Sequence, residues 1–214
     1  MKFAIISAGE GSRLSQEGVQ LPKPLVQLNG VAMIDRLIHI FAQNGAEEVV
    51  VIINNEVPLT KAHLQELEKT SEVPLRVVVK TTPSSMHSFY ELSRYLKDDR
   101  FCLTTVDTIF REEEFAHFIE AFKAFDGDGM MAVTENPLYI GTDEANRITG
   151  FYDSLQPDTR YISGGIYCLS PKSIVTLEKC MAQGMSRMRN FQRQLVADGL
   201  QLKAYPFSKI LDVD

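Results

Sequence analysis

Four short runs rich in β-branched or aromatic residues, Phe3 to Ser7, Val49 to Ile53, Leu75 to Val79 and Phe101 to Val106, recur through the first half of the chain with helix-like stretches between them. This alternation restricts the fold more than any other feature. Parallel strands need a crossover of a dozen or more residues, and a helix supplies it while covering a face of the sheet. Val49 to Ile53 is an unbroken apolar run, the pattern of a strand buried on both faces. Met33, Ile34, Leu37, Ile38 and Phe41 recur at helical spacing, and Asn44-Gly45 supplies the stop signal. Leu59 to Leu67, Met86 to Leu96 and Glu112 to Phe125 read as further helices. The expected class is α/β: a three-layer α/β/α sandwich around a mostly parallel, Rossmann-like sheet.

The second half is less regular. Strands are expected at Met130 to Thr134, Asn146 to Phe151, Tyr161 to Leu169 and Gln201 to Ala204, and helices near Pro171 to Met181 and Arg187 to Ala197. Gly164-Gly165 marks a bulge or a close approach to ligand. With 214 residues, 44% of them hydrophobic, and neither repeat nor low-complexity linker, residues 1–214 are expected to form one domain.

Several function classes lose support at this level. Net charge is −6 without a basic cluster, so the electrostatic footprint of a nucleic-acid binder is missing. No apolar run approaches the ~20 residues of a bilayer span, and Met1-Lys2-Phe3 leads directly into a strand, so a cytoplasmic protein with no membrane partner is expected. Cys102, Cys168 and Cys180 fit neither a disulfide framework nor a zinc site and read as buried thiols. His39, His63, His87 and His117 show no metal-ligand spacing.

The chemistry points to the start of the chain. The first strand breaks into Ala8-Gly9-Glu10-Gly11-Ser12-Arg13-Leu14, and Pro22-Lys23-Pro24-Leu25 follows one loop later. A strand that opens into a glycine-rich turn presents unpaired backbone N–H groups, and with Arg and Lys nearby the natural occupant is a polyphosphate. A dinucleotide fingerprint would need a third small residue where Arg13-Leu14 stands, and a Walker loop would need Lys-Ser/Thr after its last glycine. Neither pattern is present.

Gly-x-Gly-Ser-Arg-Leu followed by Pro-Lys-Pro-Leu-Val-Gln-Leu-Asn-Gly resembles the signature of the nucleotidyltransferase family that includes nucleotide-sugar pyrophosphorylases and phosphocholine cytidylyltransferases. The resemblance is sharp over residues 4 to 40, with islands at 101 to 110 and 162 to 170, and implies a fold of the nucleotide-diphospho-sugar transferase type. It implies that Ala8, Gly9, Glu10, Gly11 and Ser12 hold base and phosphates through their backbone. Arg13 would lie along the triphosphate, with Lys23 meeting charge that develops at the α-phosphate. Thr82 to Ser88 occupies the place of a loop that touches the base, so Ser84 and Ser85 are nucleotide-binding candidates and equally candidates for helix capping.

Displacing pyrophosphate from an α-phosphorus brings two anions together, so the reaction needs a divalent metal and fixed cations. By the resemblance Mg²⁺ would be held by Asp107, at the end of a hydrophobic strand, and by Asp212 of Leu211-Asp212-Val213-Asp214, with Asp214 the alternative to Asp212. Asp107 could otherwise serve as a turn or N-cap aspartate. Gly164, Gly165 and Tyr167 resemble the Gly-Gly-Ile-Tyr lining of the acceptor pocket. The family's Glu-Lys-Pro is absent, and Tyr152-Asp153-Ser154-Leu155 stands about where it would be. Asp153 could replace that glutamate, but no lysine replaces the lysine.

The expected function is a Mg²⁺-dependent transfer of a nucleotidyl group from a nucleoside triphosphate to a small phosphorylated acceptor, a sugar phosphate first, releasing pyrophosphate. The alternatives are a non-catalytic nucleotide-sensing domain of the same fold and a phosphocholine-type cytidylyltransferase. A glycosyltransferase would need a mid-chain Asp-x-Asp, and the only such triplet is at 212–214. With no β-helix repeat after the catalytic region, an added acyltransferase domain is not expected. A homodimer is compatible with the sequence, which leaves base, acceptor and oligomeric state open.

Overall fold

The computed structural model describes residues 1–9 and 12–213, with Ser12 and Arg13 described in the backbone only. In chain order its elements are β1 (Lys2–Ser7), α1 (Ser12–Gln16), a 3₁₀ turn (Lys23–Leu25), β2 (Gln27–Leu28), β3 (Val31–Ala32), α2 (Met33–Gln43), β4 (Val49–Ile53), α3 (Pro58–Glu68), β5 (Leu75–Val79) and α4 (Ser85–Ser93). There follow β6 (Phe101–Thr105), β7 (Thr108–Phe110), α5 (Glu112–Ala124), β8 (Gly129–Thr142), β9 (Ile148–Phe151), β10 (Thr159–Leu169), α6 (Lys172–Ala182), α7 (Met188–Ala197), β11 (Leu202–Pro206) and β12 (Ile210–Asp212).

The main sheet runs β11-β8-β10-β6-β1-β4-β5, with β9 paired to β8. β5, β4, β1 and β6 are mutually parallel, β11 is parallel to β8, and β10 enters antiparallel between β6 and β8. The strand period of two divides the core between the faces. Phe3 and Ile5 of β1 and Val49, Val51 and Ile53 of β4 pack with α2 and α5, where Phe3 stacks on Phe41 at 4.7 Å. Ala4, Ile6, Val50 and Ile52 face α4, α6 and α7. The three-layer expectation is met.

The helix α2 ends as its sequence predicts: the Asn44 side-chain amide donates to the Ile40 carbonyl at 2.8 Å, and Gly45 takes a φ of 77°. The second half departs from expectation at β8, which extends through Thr142 rather than stopping at Thr134. Pro137 is tolerated because β8 and β10 lose register between Thr159 and Tyr161, where the ladder requires no N–H from it.

Cys102 and Cys168 lie directly opposite each other in β6 and β10, and all three cysteines are free and buried. Burial raises the Cys168 thiol well above its usual range, with Cys102 beside it adding to the effect. Native protein is therefore expected to resist iodoacetamide at pH 8 and to label at three sites once unfolded. Labelling of Cys102 or Cys168 in the folded state, read by mass spectrometry, would contradict this packing.

Among the described residues no helix is long and apolar enough to cross a membrane.

Candidate active site

β1, β4 and β6 are parallel, so their carboxyl ends open on one edge, where sheets of this kind bind ligands. Ser7, Gly9, Lys23, Pro24, Ser85, Thr105, Val106 and Asp107 meet there around a cleft of about 130 Å³. A second cleft of about 220 Å³ shares Ser7, Gly9, Lys23 and Pro24 and extends to Asn54 and Thr60. Lys23 donates from Nζ to Asp107 Oδ2 at 2.6 Å across 84 residues of sequence, and both side chains are largely shielded. The Pro-Lys-Pro context accounts for its placement: Pro22 and Pro24 fix φ around the 3₁₀ turn and aim the lysine inward. The Ser7 hydroxyl, buried at the end of β1 and lining both clefts, finds no hydrogen-bond partner among the described residues. A buried orphan of this kind suits a ligand oxygen.

Asp212 is brought beside Asp107 by strand pairing. β12 runs antiparallel to β7 with Asp212 opposite Thr108, and the Val213 N–H donates to the Asp107 carbonyl at 3.1 Å. The β7 strand is itself anchored: Arg36 of α2 donates to the Phe110 carbonyl at 2.7 Å, and the Phe110 ring stacks on Phe115 at 4.8 Å. Asp107 thus sits in the turn between β6 and β7, and it caps no helix. The sequence gives no sign of β7, because three residues carry no readable period and their partner lies about a hundred residues downstream.

Gly164 and Gly165 explain how the pair is seated. A Cβ on Gly164 would lie 2.2 Å from Ile210 Cδ1, and Gly165, at φ 76°, lets its backbone approach the Thr105 and Thr108 hydroxyls. Those hydroxyls bond each other at 2.7 Å, closing the turn that carries Asp107. The two glycines therefore shape the carboxylate turn from behind. Tyr167, 8% exposed, bonds Ser163 and Gln192 through its hydroxyl, and its phenol is raised chiefly by burial and further by the Asp212 carboxylate.

Of the two serines, Ser84 is the N-cap of α4, its oxygen accepting from the His87 N–H and bonding His87 Nδ1 at 2.7 Å. Ser85 lines the cleft that holds Asp107. Ala8 is buried behind Gly9. Glu10, Gly11, the side chains of Ser12 and Arg13, and Asp214 lie outside the described residues. Sequence reasoning missed Asn54, which lines the second cleft just beyond β4.

A largely parallel α/β sheet with Gly9, Lys23, Asp107 and Asp212 near the carboxyl ends of its parallel strands places the chain among α/β proteins whose open cleft lies at that edge. A family model described as the MobA-like NTP transferase domain matches residues 3–196, and the chain belongs to that family. Among similar proteins, the mannose-1-phosphate guanylyltransferase catalytic subunit beta of Dictyostelium discoideum is 28% identical over 180 residues, covering 80% of this chain and 50% of that one. The glucose-1-phosphate cytidylyltransferase of Salmonella typhi is 24% identical over 197 residues, covering 81% and 77%. The chain spans about half the length of the guanylyltransferase relatives. The solved inositol-1-phosphate CTP transferase from T. maritima superposes with a TM-score of 0.82 at 17% identity, covering 100% of this chain and 89% of that one. A UDP-glucose pyrophosphorylase from Acinetobacter baumanii gives 0.79 at 14% identity, covering 99% and 87%. These likenesses establish the nucleotide-diphospho-sugar transferase fold.

Proposed function

We propose that this chain transfers a nucleoside monophosphate from a nucleoside triphosphate to a small sugar phosphate and releases pyrophosphate, with residues 1–214 acting as one catalytic unit. The observation that carries the reading is the Lys23–Asp107 pair at the sheet edge, with Asp212 held opposite Thr108 by the β7–β12 pairing. Relatives named for guanylyl and cytidylyl transfer to sugar 1-phosphates support it.

An oxygen of the acceptor phosphate attacks the α-phosphorus, a new P–O bond forms, and the bond to the bridging oxygen breaks as pyrophosphate leaves. Lys23, already poised against a carboxylate, would follow the growing negative charge on the α-phosphate oxygens, and Arg13 would lie along the leaving phosphates. The Ser7 hydroxyl and the amides from Ala8 onward would orient the triphosphate. Asp107 and Asp212 form an all-oxygen pair suited to Mg²⁺. Among the described residues no group of three His, Cys, Asp or Glu could hold a metal, so any Mg²⁺ at this pair would need further oxygen ligands from outside the chain's carboxylates. Mg²⁺ held there would neutralise charge between α-phosphate and leaving group.

Release of pyrophosphate from each of four nucleoside triphosphates, with Mg²⁺ and a panel of sugar, inositol and choline phosphates, tests the proposal. Turnover is expected with a sugar 1-phosphate. Tight triphosphate binding with no turnover across the panel would instead mark a sensing domain.

A further inference from the structure

The first turn of α2 grips both halves of the candidate site. Its opening residue, Met33, donates its N–H to the Val26 carbonyl at 2.9 Å, and the Val26 N–H closes the 3₁₀ turn by donating to the Lys23 carbonyl at 3.2 Å. One helical turn later Arg36 donates from Nη2 to the Phe110 carbonyl of β7 at 2.7 Å, its guanidinium carbon 5.2 Å from the centre of the Phe110 ring. Residues three apart share a helix face, so the two grips are neighbours.

β7 has three residues and pairs with β12 in a two-stranded sheet apart from the main one. Phe110 stands opposite Ile210, and Thr108, two residues earlier, stands opposite Asp212. Whatever fixes the Phe110 carbonyl therefore fixes the strand on which Asp212 is registered. The Thr105–Thr108 hydroxyl bond and the Val213 N–H bond to Asp107 tie this region to itself and to β6. Arg36 ties it to α2, and through Met33 to the lysine turn.

The choice of an arginine here is costly. Its side chain is half-buried, among the described residues it makes no ion pair within 4 Å, and burial lowers its pKa with the Glu112 charge only partly offsetting the effect. A charge taken from water and spent on a neutral carbonyl gains little stability over an apolar side chain of similar size. What it adds is a set position for β7.

We propose that Arg36 is a positioning residue, and that the first turn of α2 is a strut holding the lysine turn and the β7–β12 pair at the separation at which Lys23, Asp107 and Asp212 can face one ligand. The inference rests on the function proposed above, in which those three groups meet the triphosphate. Arg36 itself would touch no substrate.

Hydrogen exchange followed by mass spectrometry, alongside pyrophosphate release, tests the strut in Arg36→Met and Arg36→Lys. In Arg36→Met, exchange at the β12 and Val213 amides is expected to quicken about 10-fold or more while β1 and β4 keep their protection. Its kcat is expected to fall about 10-fold or more, with triphosphate KM moving less than about threefold, because the groups are misplaced rather than removed. Arg36→Lys, which keeps a donor for the Phe110 carbonyl, is expected to recover part of both effects. Unaltered exchange at β12 in Arg36→Met, or exchange that quickens equally in β1 and β4, would overturn the strut. If β12 loosens as expected while the parent chain turns over no triphosphate, the strut stands and the transferase reading fails. Turnover by the parent with an unchanged kcat in Arg36→Met would leave the transferase standing and remove the strut.

Discussion

Lys23→Ala should lower turnover at least ~10²-fold while leaving the fold in place. The lysine ends 2.6 Å from Asp107, so in the proposed reaction its charge would be held beside the carboxylate where the α-phosphate oxygens gain negative charge. Removing it takes away a stabilisation that is stronger in the transition state than in the bound substrate, so kcat should fall further than triphosphate affinity. The pair is only partly buried, which puts its loss between that of a surface and a buried ion pair, and the melting midpoint should drop by no more than roughly 10 °C. An unchanged kcat would remove Lys23 from the chemistry.

Gly165→Ala should have an effect of comparable size although it touches no substrate. The residue sits at φ 76°, where a side chain costs ~1–2 kcal/mol, and the added Cβ would lie 3.2 Å from the hydroxyls of Thr105 and Thr108. Those threonines close the turn bearing Asp107, so strain relieved by moving them shifts a carboxylate. Displacement near 1 Å can reduce turnover by about 10². The expected result is a loss of turnover well beyond the loss of stability, with a melting midpoint about 2–8 °C lower. A variant that melts earlier yet turns over normally would show that the glycine serves packing alone.

The parallel half of the sheet was legible because its strands are continuous apolar runs and its helices keep clean spacing, so Val49–Ile53 and Met33–Gln43 fall where the pattern places them. β8 was less legible: Glu135-Asn136-Pro137 reads as loop, and only the lost register against β10 lets a strand pass through proline. At the site, motif residues Lys23, Asp107 and Asp212 could be picked out one by one, but not their contact, which depends on the short β7–β12 pair. Asn54 carried no local signal, because a lone polar residue just past a buried strand looks the same whatever it faces. Ser84 shows the converse: a hydroxyl in the right loop turned out to be engaged by its own helix.

The β7–β12 pairing also has a consequence for biogenesis. Ser208 fastens the approach to β12 by donating from its N–H and its hydroxyl to Glu114, 94 residues earlier in the chain. A polypeptide emerging from the ribosome can assemble the parallel strands early, yet its two carboxylates stay apart until this late segment docks. A chain clipped ahead of β12 would therefore keep the parallel strands yet lack the second carboxylate of the proposed site, and its turnover is expected to fall although most of its architecture is complete.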